Sequence, residues 1–145
     1  MSGRALLDVN VLVALFDPDH LHHEPAHRWL AEHRSSGWAT CPLTENGVVR
    51  VLANPAYSPS AERPAEIARR LAAFRESGQH AFWPDDVSLC DTGAFNLTVG
   101  YRQLTDTYLL GLAVKHRGRL ATFDRSIPLK AVRGARPEDL VVIDA

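Results

Sequence analysis

Short apolar runs alternate with longer amphipathic stretches along the whole chain, and this alternation constrains the fold more than any other feature. Residues 5–9 (Ala-Leu-Leu-Asp-Val) read as a buried strand, and 11–16 as a short helix after it. Asp17-Pro18-Asp19 breaks the chain. A helix opens near Pro25 and runs to about Arg34, because proline suits a first helical turn and Gly37 stops the element. Residues 38–41 form the second strand. Thr44 is placed to cap a helix that carries Val48, Val49 and Leu52 on one face and ends at Asn54-Pro55. A loop over 57–63 leads to an amphipathic helix over 64–77, with Ile67, Leu71 and Phe74 inward and Gly78 ending it. Residues 80–83 are the third strand, and 87–101 read as one helix and a loop. Leu104-Thr105-Asp106 opens a helix reaching His116 and closed by Gly118, followed by strands over 119–124 and 140–143. Strands separated by helices imply a parallel sheet covered on both faces.

At 145 residues the chain is one domain, 1–145, with a core large enough to fold without a metal or disulfide. Sixteen basic and 17 acidic residues leave a net charge of −1, which excludes a surface coated in basic charge for many phosphates. The two cysteines, Cys41 and Cys90, form no CxxC pair and are expected to be reduced thiols. No apolar run approaches the roughly 18 residues that span a bilayer. Asp8 and Asn10 interrupt the apolar N-terminal run, so it does not read as a secretion signal; a cytoplasmic protein with no membrane association is expected.

Ligands of a doubly wound sheet bind outside the carboxyl ends of its strands. Asp8 and Asp124 each end a predicted strand, while Glu45 and Asp106 each follow a threonine in the first turn of a predicted helix. Each acid alone has an ordinary structural explanation in loop chemistry or the helix dipole. As a set they fall on one sheet edge, where four anions repel unless a cation neutralises them. An all-carboxylate set suits a hard divalent ion, Mg2+ or alternatively Mn2+. No Gly-rich phosphate loop accompanies them.

Leu6-Leu7-Asp8-Val9-Asn10-Val11-Leu12, Leu43-Thr44-Glu45 with Arg50-Val51-Leu52, Leu104-Thr105-Asp106 and Ala121-Thr122-Phe123-Asp124-Arg125 together resemble the PIN-domain ribonucleases. More narrowly the chain is similar to the VapC-type toxins of bacterial toxin–antitoxin pairs, including the histidine-rich segment from His20 to His27 that leads into Trp29. The resemblance implies a three-layer α/β/α sandwich with a central, mainly parallel sheet. It implies metal-dependent endonucleolytic cleavage of RNA by Asp8, Glu45, Asp106 and Asp124, with Asn10 and Thr105 as supporting polar groups. Asp8 and Asp106 are the expected direct metal ligands. A cognate antitoxin protein and a homodimer are the expected partners. A housekeeping PIN nuclease in RNA processing, or a nucleic-acid-binding module that does not cut, are the alternatives. A phosphorylated receiver domain is disfavoured, since Asp8 lacks an adjacent acid and no lysine follows Leu140.

His23-Glu24-Pro25-Ala26-His27 matches the zinc-protease pattern HExxH, with His33 at the place of a third ligand. Three features reject that reading. Position 30 is leucine where the extended pattern needs glycine, His27 and His33 point about 240° apart on a continuing helix, and no methionine follows Met1. A weak zinc site from His20, His22 and His23 stays open. Between Lys115 and Arg136 stand seven basic residues and a single acid, Asp124. They are either a solvated face or phosphate contacts, Arg125 being the best single candidate for substrate phosphate. Trp29, Trp38 and Trp83 are assigned to the core.

Overall fold

The computed structural model describes residues 3–145. Five parallel strands, β1 (Ala5–Leu7), β2 (Trp38–Thr40), β3 (His80–Phe82), β4 (Arg119–Thr122) and β5 (Leu140–Val142), lie in the order β3-β2-β1-β4-β5. The chain starts at the centre, winds outward through β2 and β3, then returns to the other side of β1 as β4 and β5. The direction of winding therefore reverses between β1 and β4, and their carboxyl ends flank the crevice that such a reversal leaves.

The helices are α1 (Val9–Phe16), α2 (His23–His33), α3 (Pro42–Ala53), α4 (Pro64–Arg75) and α5 (Leu104–Lys115). Alternation along β1 assigns them to layers. Ala5 and Leu7 pack with Val11, Leu12, Trp29, Leu30, Val48, Leu52, Ile67 and Leu71 from α1 to α4. Leu6, pointing the other way, packs with Leu109, Leu110, Leu112, Leu120 and Phe95 under α5. This is the expected α/β/α sandwich, and the expected core tryptophans are at most 9% exposed.

Three local expectations differ. Residues 87–101 hold no α-helix. Asn96 N–H donates to the Ala131 carbonyl and Arg133 N–H to the Ala94 carbonyl (2.9 Å each), so a distant segment takes the hydrogen bonds a helix would need. Phe95, 3% exposed, plugs into α5 at Gly111, where any Cβ would overlap its ring. Second, α3 begins at Pro42, two residues before Thr44. Thr44 Oγ1 accepts from Cys41 N–H (3.0 Å) and donates back to the Cys41 carbonyl (3.1 Å). The charged cap comes from afar: Asp85 accepts from Leu43 N–H at 3.2 Å.

The third concerns the HExxH segment, and α1 explains it. Val13 O is satisfied by Asp17 N–H, leaving three terminal carbonyls without helical donors. His23 Nδ1 donates to Ala14 O (2.7 Å), His27 Nε2 to Leu15 O (2.8 Å), and Arg70 to Phe16 O. Their i, i+4 spacing sets the two imidazoles edge to face, with centroids 4.4 Å apart, on one face of α2. His33 instead stacks on Trp29. Among the described residues no three His, Cys, Asp or Glu side chains form a metal-holding group, so the weak zinc site from His20, His22 and His23 is not formed.

Candidate active site

Asp8 stands between β1 and α1 at the winding reversal. It is the N-cap of α1: one carboxylate oxygen accepts from Val9 N–H (2.7 Å), and the other accepts from Thr122 Oγ1 (2.7 Å) at the end of β4. The carboxyl group is 5% exposed, and burial raises its pKa, with Asp124 adding repulsion while the two hydrogen bonds oppose the shift. Asn10, in the first turn of α1, donates to Thr122 Oγ1 (3.3 Å) and accepts from Phe123 N–H (3.3 Å). It pins the end of β4 against α1.

Asp124 leaves β4 into a tight turn, where one oxygen accepts from both Ser126 N–H (2.8 Å) and Ser126 Oγ (2.7 Å). Those bonds hold its pKa below the ordinary value. Asp106 reaches the same place from the first turn of α5. Burial, then the charge of Asp8, then a carboxyl-to-carboxyl hydrogen bond with Asp124 push it up to about 7. Three aspartates from three elements thus share one site, and burial and their mutual repulsion favour the neutral form of Asp106. Those oxygen donors suit a hard divalent cation, which needs only one or two carboxylates when waters and substrate phosphate complete its shell; among the described residues no three of the acids stand close enough to hold an ion by themselves.

Glu45 is placed differently. From the first turn of α3 it accepts from Thr40 Oγ1 (2.6 Å) and pairs with Arg75 of α4 at 3.3 Å. Thr40 has a single hydroxyl proton and gives it to the carboxylate, so His80 Nε2, 2.7 Å away, donates to Thr40. Burial and the nearby Arg75 and Arg4 charges lower His80 to about 4, keeping it neutral. Glu45 also faces a groove of about 590 Å³ between α3 and α4, lined by Val49, Arg50, Leu71, Arg75 and Phe82.

Thr105 does not join the acids. It is exposed on α5 beside Leu43, Leu89 and Tyr108, because one residue along a helix turns a side chain about 100° from its neighbour. Arg125 follows Asp124 at the acid edge and holds only an exposed 3.5 Å contact to Asp144. The rest of the basic stretch is no single patch. Arg119 begins β4 at the opposite end of the sheet, Lys115 pairs with Asp86, and Arg136 pairs with Asp139.

Thr40 and Thr122 were not singled out by sequence reasoning, yet both are fully buried and each holds one acid. The signal was there: a threonine closing an apolar strand buries a hydroxyl that must find a partner. His80 carried no such signal, since its partner lies 40 residues away.

Fold and site together define an α/β sandwich with a carboxylate-lined strand edge, the class of the PIN-like domains. A PIN domain model matches residues 5–133. Ribonuclease VapC44 of Mycobacterium tuberculosis is 45% identical over 142 residues, covering 97% of this chain and 99% of that protein. Ribonuclease VapC38 of the same organism is 49% identical over 140 residues, covering 96% and 99%. Ribonuclease VapC39 is 43% identical over 132 residues, covering 90% and 95%. The chain belongs to the PIN-domain family, in its VapC branch.

Proposed function

We propose that this chain is a metal-dependent endoribonuclease that hydrolyses RNA phosphodiester bonds as the toxin of a toxin–antitoxin pair. The observation that carries the chemistry is the meeting of Asp8, Asp106 and Asp124 at the winding reversal, with no lysine or arginine among their partners in the described residues. The relatives, each named a ribonuclease and matched over nearly their whole length, support RNA as the substrate.

Mg2+ or Mn2+ bound here supplies an activated water near neutral pH and offsets charge developing on the phosphate oxygens. Asp8 and Asp106 would be its protein ligands. Asp8 is held rigid by Val9 N–H and Thr122, while Asp106 must release its proton to serve. Asp124, whose ionised form is favoured by Ser126, would orient the attacking water. Glu45 is fixed through Thr40 and Arg75 and supports the same edge from α3. A toxin that cuts its host's RNA needs restraint, which assigns it a cognate antitoxin; a homodimer completes the proposed assembly.

Purified protein is expected to cut single-stranded RNA with magnesium or manganese and to stop with a chelator. Asp8→Asn keeps the shape and removes an anion, so cleavage is lost while the circular dichroism spectrum is kept. Cleavage in chelator, or undiminished cleavage by Asp8→Asn, overturns the metal site. Expression alone is expected to arrest growth, and co-expression of the antitoxin to restore it. Harmless expression of active enzyme assigns a housekeeping role instead.

A further inference from the structure

A short 3-10 turn, Tyr101–Gln103, leads directly into α5 and carries an aromatic ring with no place in the core: Tyr101 is 76% exposed. The ring is held out rather than folded in. Arg102 Nε donates to Tyr101 Oη (3.1 Å), with its guanidinium carbon 5.6 Å from the ring centroid. One face thus carries a cation and the rest of the ring is open to solvent.

Gln103 ties this turn to the acid edge. Its Oε1 accepts from Gly100 N–H (3.3 Å) and its Nε2 donates to the Ser126 carbonyl (3.4 Å). Ser126 in turn donates to Asp124. Asp106 lies five residues beyond Tyr101, a rise of about 8–10 Å along the turn and helix. Arg125 follows Asp124 in the chain and is exposed beside Asp144.

The electrostatics of this edge demand such a feature. Three aspartates repel a phosphate backbone, and a net charge of −1 provides no long-range attraction for RNA. Affinity must come from contacts that do not depend on net charge, and base–aromatic stacking is one. Only single-stranded RNA has an unstacked base to offer. Resting on the nuclease reading above, we propose that Tyr101, braced by Arg102 and Gln103, is a stacking subsite for a base of single-stranded RNA next to the scissile phosphate, with Arg125 on the neighbouring backbone.

The probe is a pool of short, fluorescein-labelled, random-sequence single-stranded RNAs. Its binding to the Asp8→Asn chain in magnesium is read by fluorescence anisotropy. Tyr101→Ala in that background is expected to weaken binding about tenfold, and Tyr101→Trp to restore it, since both rings stack. With Asp8 intact, Tyr101→Ala raises KM by about tenfold while kcat stays within about twofold, the pattern of lost ground-state and transition-state binding alike. Unchanged affinity and KM in Tyr101→Ala overturn the subsite, as does a loss that Tyr101→Trp fails to restore. RNA binding kept while antitoxin binding is lost overturns it too, and assigns the ring to the protein partner. Failure of the unsubstituted chain to cut any RNA overturns the nuclease reading and this inference with it.

Discussion

Thr122 shows how much of the site rests on groups that do not touch substrate. Its hydroxyl donates to Asp8 and accepts from Asn10 Nδ2 and Asp124 N–H, so one buried oxygen orders three of the site's residues. Thr122→Val keeps the volume and removes all three bonds. Losing the hydrogen bonds that orient a ligating carboxylate commonly costs about 10–100-fold, and a fall in kcat of about that size is expected, with the circular dichroism spectrum unchanged. His80 gives a pH-dependent counterpart. Its folded pKa of about 4 lies below the ordinary imidazole value of 6.5, so the unfolded chain binds a proton over that interval which the folded chain refuses. The stability it contributes is fully present above 6.5 and is lost as pH falls towards 4. Because the ring is only half-buried, the loss is about 1–2 kcal/mol after allowance for solvent screening. Denaturant titrations from pH 7 to 4 are expected to show a shallower decline for His80→Gln than for the unsubstituted chain. Equal slopes would remove His80 from the acid response.

At the scale of elements, α1 is the hinge of the site, since it carries Asp8 at its N-cap and Asn10 in its first turn. An eight-residue helix has little stability of its own and depends on its ends. His23 and His27 supply two of its terminal hydrogen bonds, each worth about 1 kcal/mol. Replacing both with alanine is expected to cost about 2 kcal/mol of stability, read as a lower thermal midpoint, with nuclease activity within a few-fold at temperatures where the variant is folded. Loss of activity in a fully folded double variant would place these imidazoles in the chemistry. The apparent metalloprotease motif is thus a helix-capping device, and the same i, i+4 spacing serves both because each needs two imidazoles on one face.

For the molecule as a whole, the active edge is a store of repulsion that the rest of the sandwich holds together. Above pH 7, where Asp106 is ionised, Asp106→Asn removes one anion from beside Asp8 and Asp124, so in chelator at that pH the variant is expected to unfold at a higher temperature than the unsubstituted chain. Magnesium should raise the midpoint of the unsubstituted chain and raise that of Asp106→Asn much less. A variant less stable in chelator, with the same response to magnesium, would argue against an electrostatically strained metal site. The local pattern alone determined the alternation of strands and helices, the parallel sheet, the buried tryptophans and the acids at strand ends and helix starts. Periodicity, proline and glycine positions act within a few residues, and four short motifs in order carry a family resemblance. Tertiary structure alone decided that residues 87–101 give their hydrogen bonds to residues 131–133 instead of forming a helix. It also turned Thr105 away from the acids, brought Thr40 and His80 to Glu45, and scattered the basic stretch over both ends of the sheet. Those outcomes depend on which strand lies beside which. The order β3-β2-β1-β4-β5 sets β4 against β1 across more than a hundred residues, and hydrogen bonds of that range leave no periodic trace in the chain.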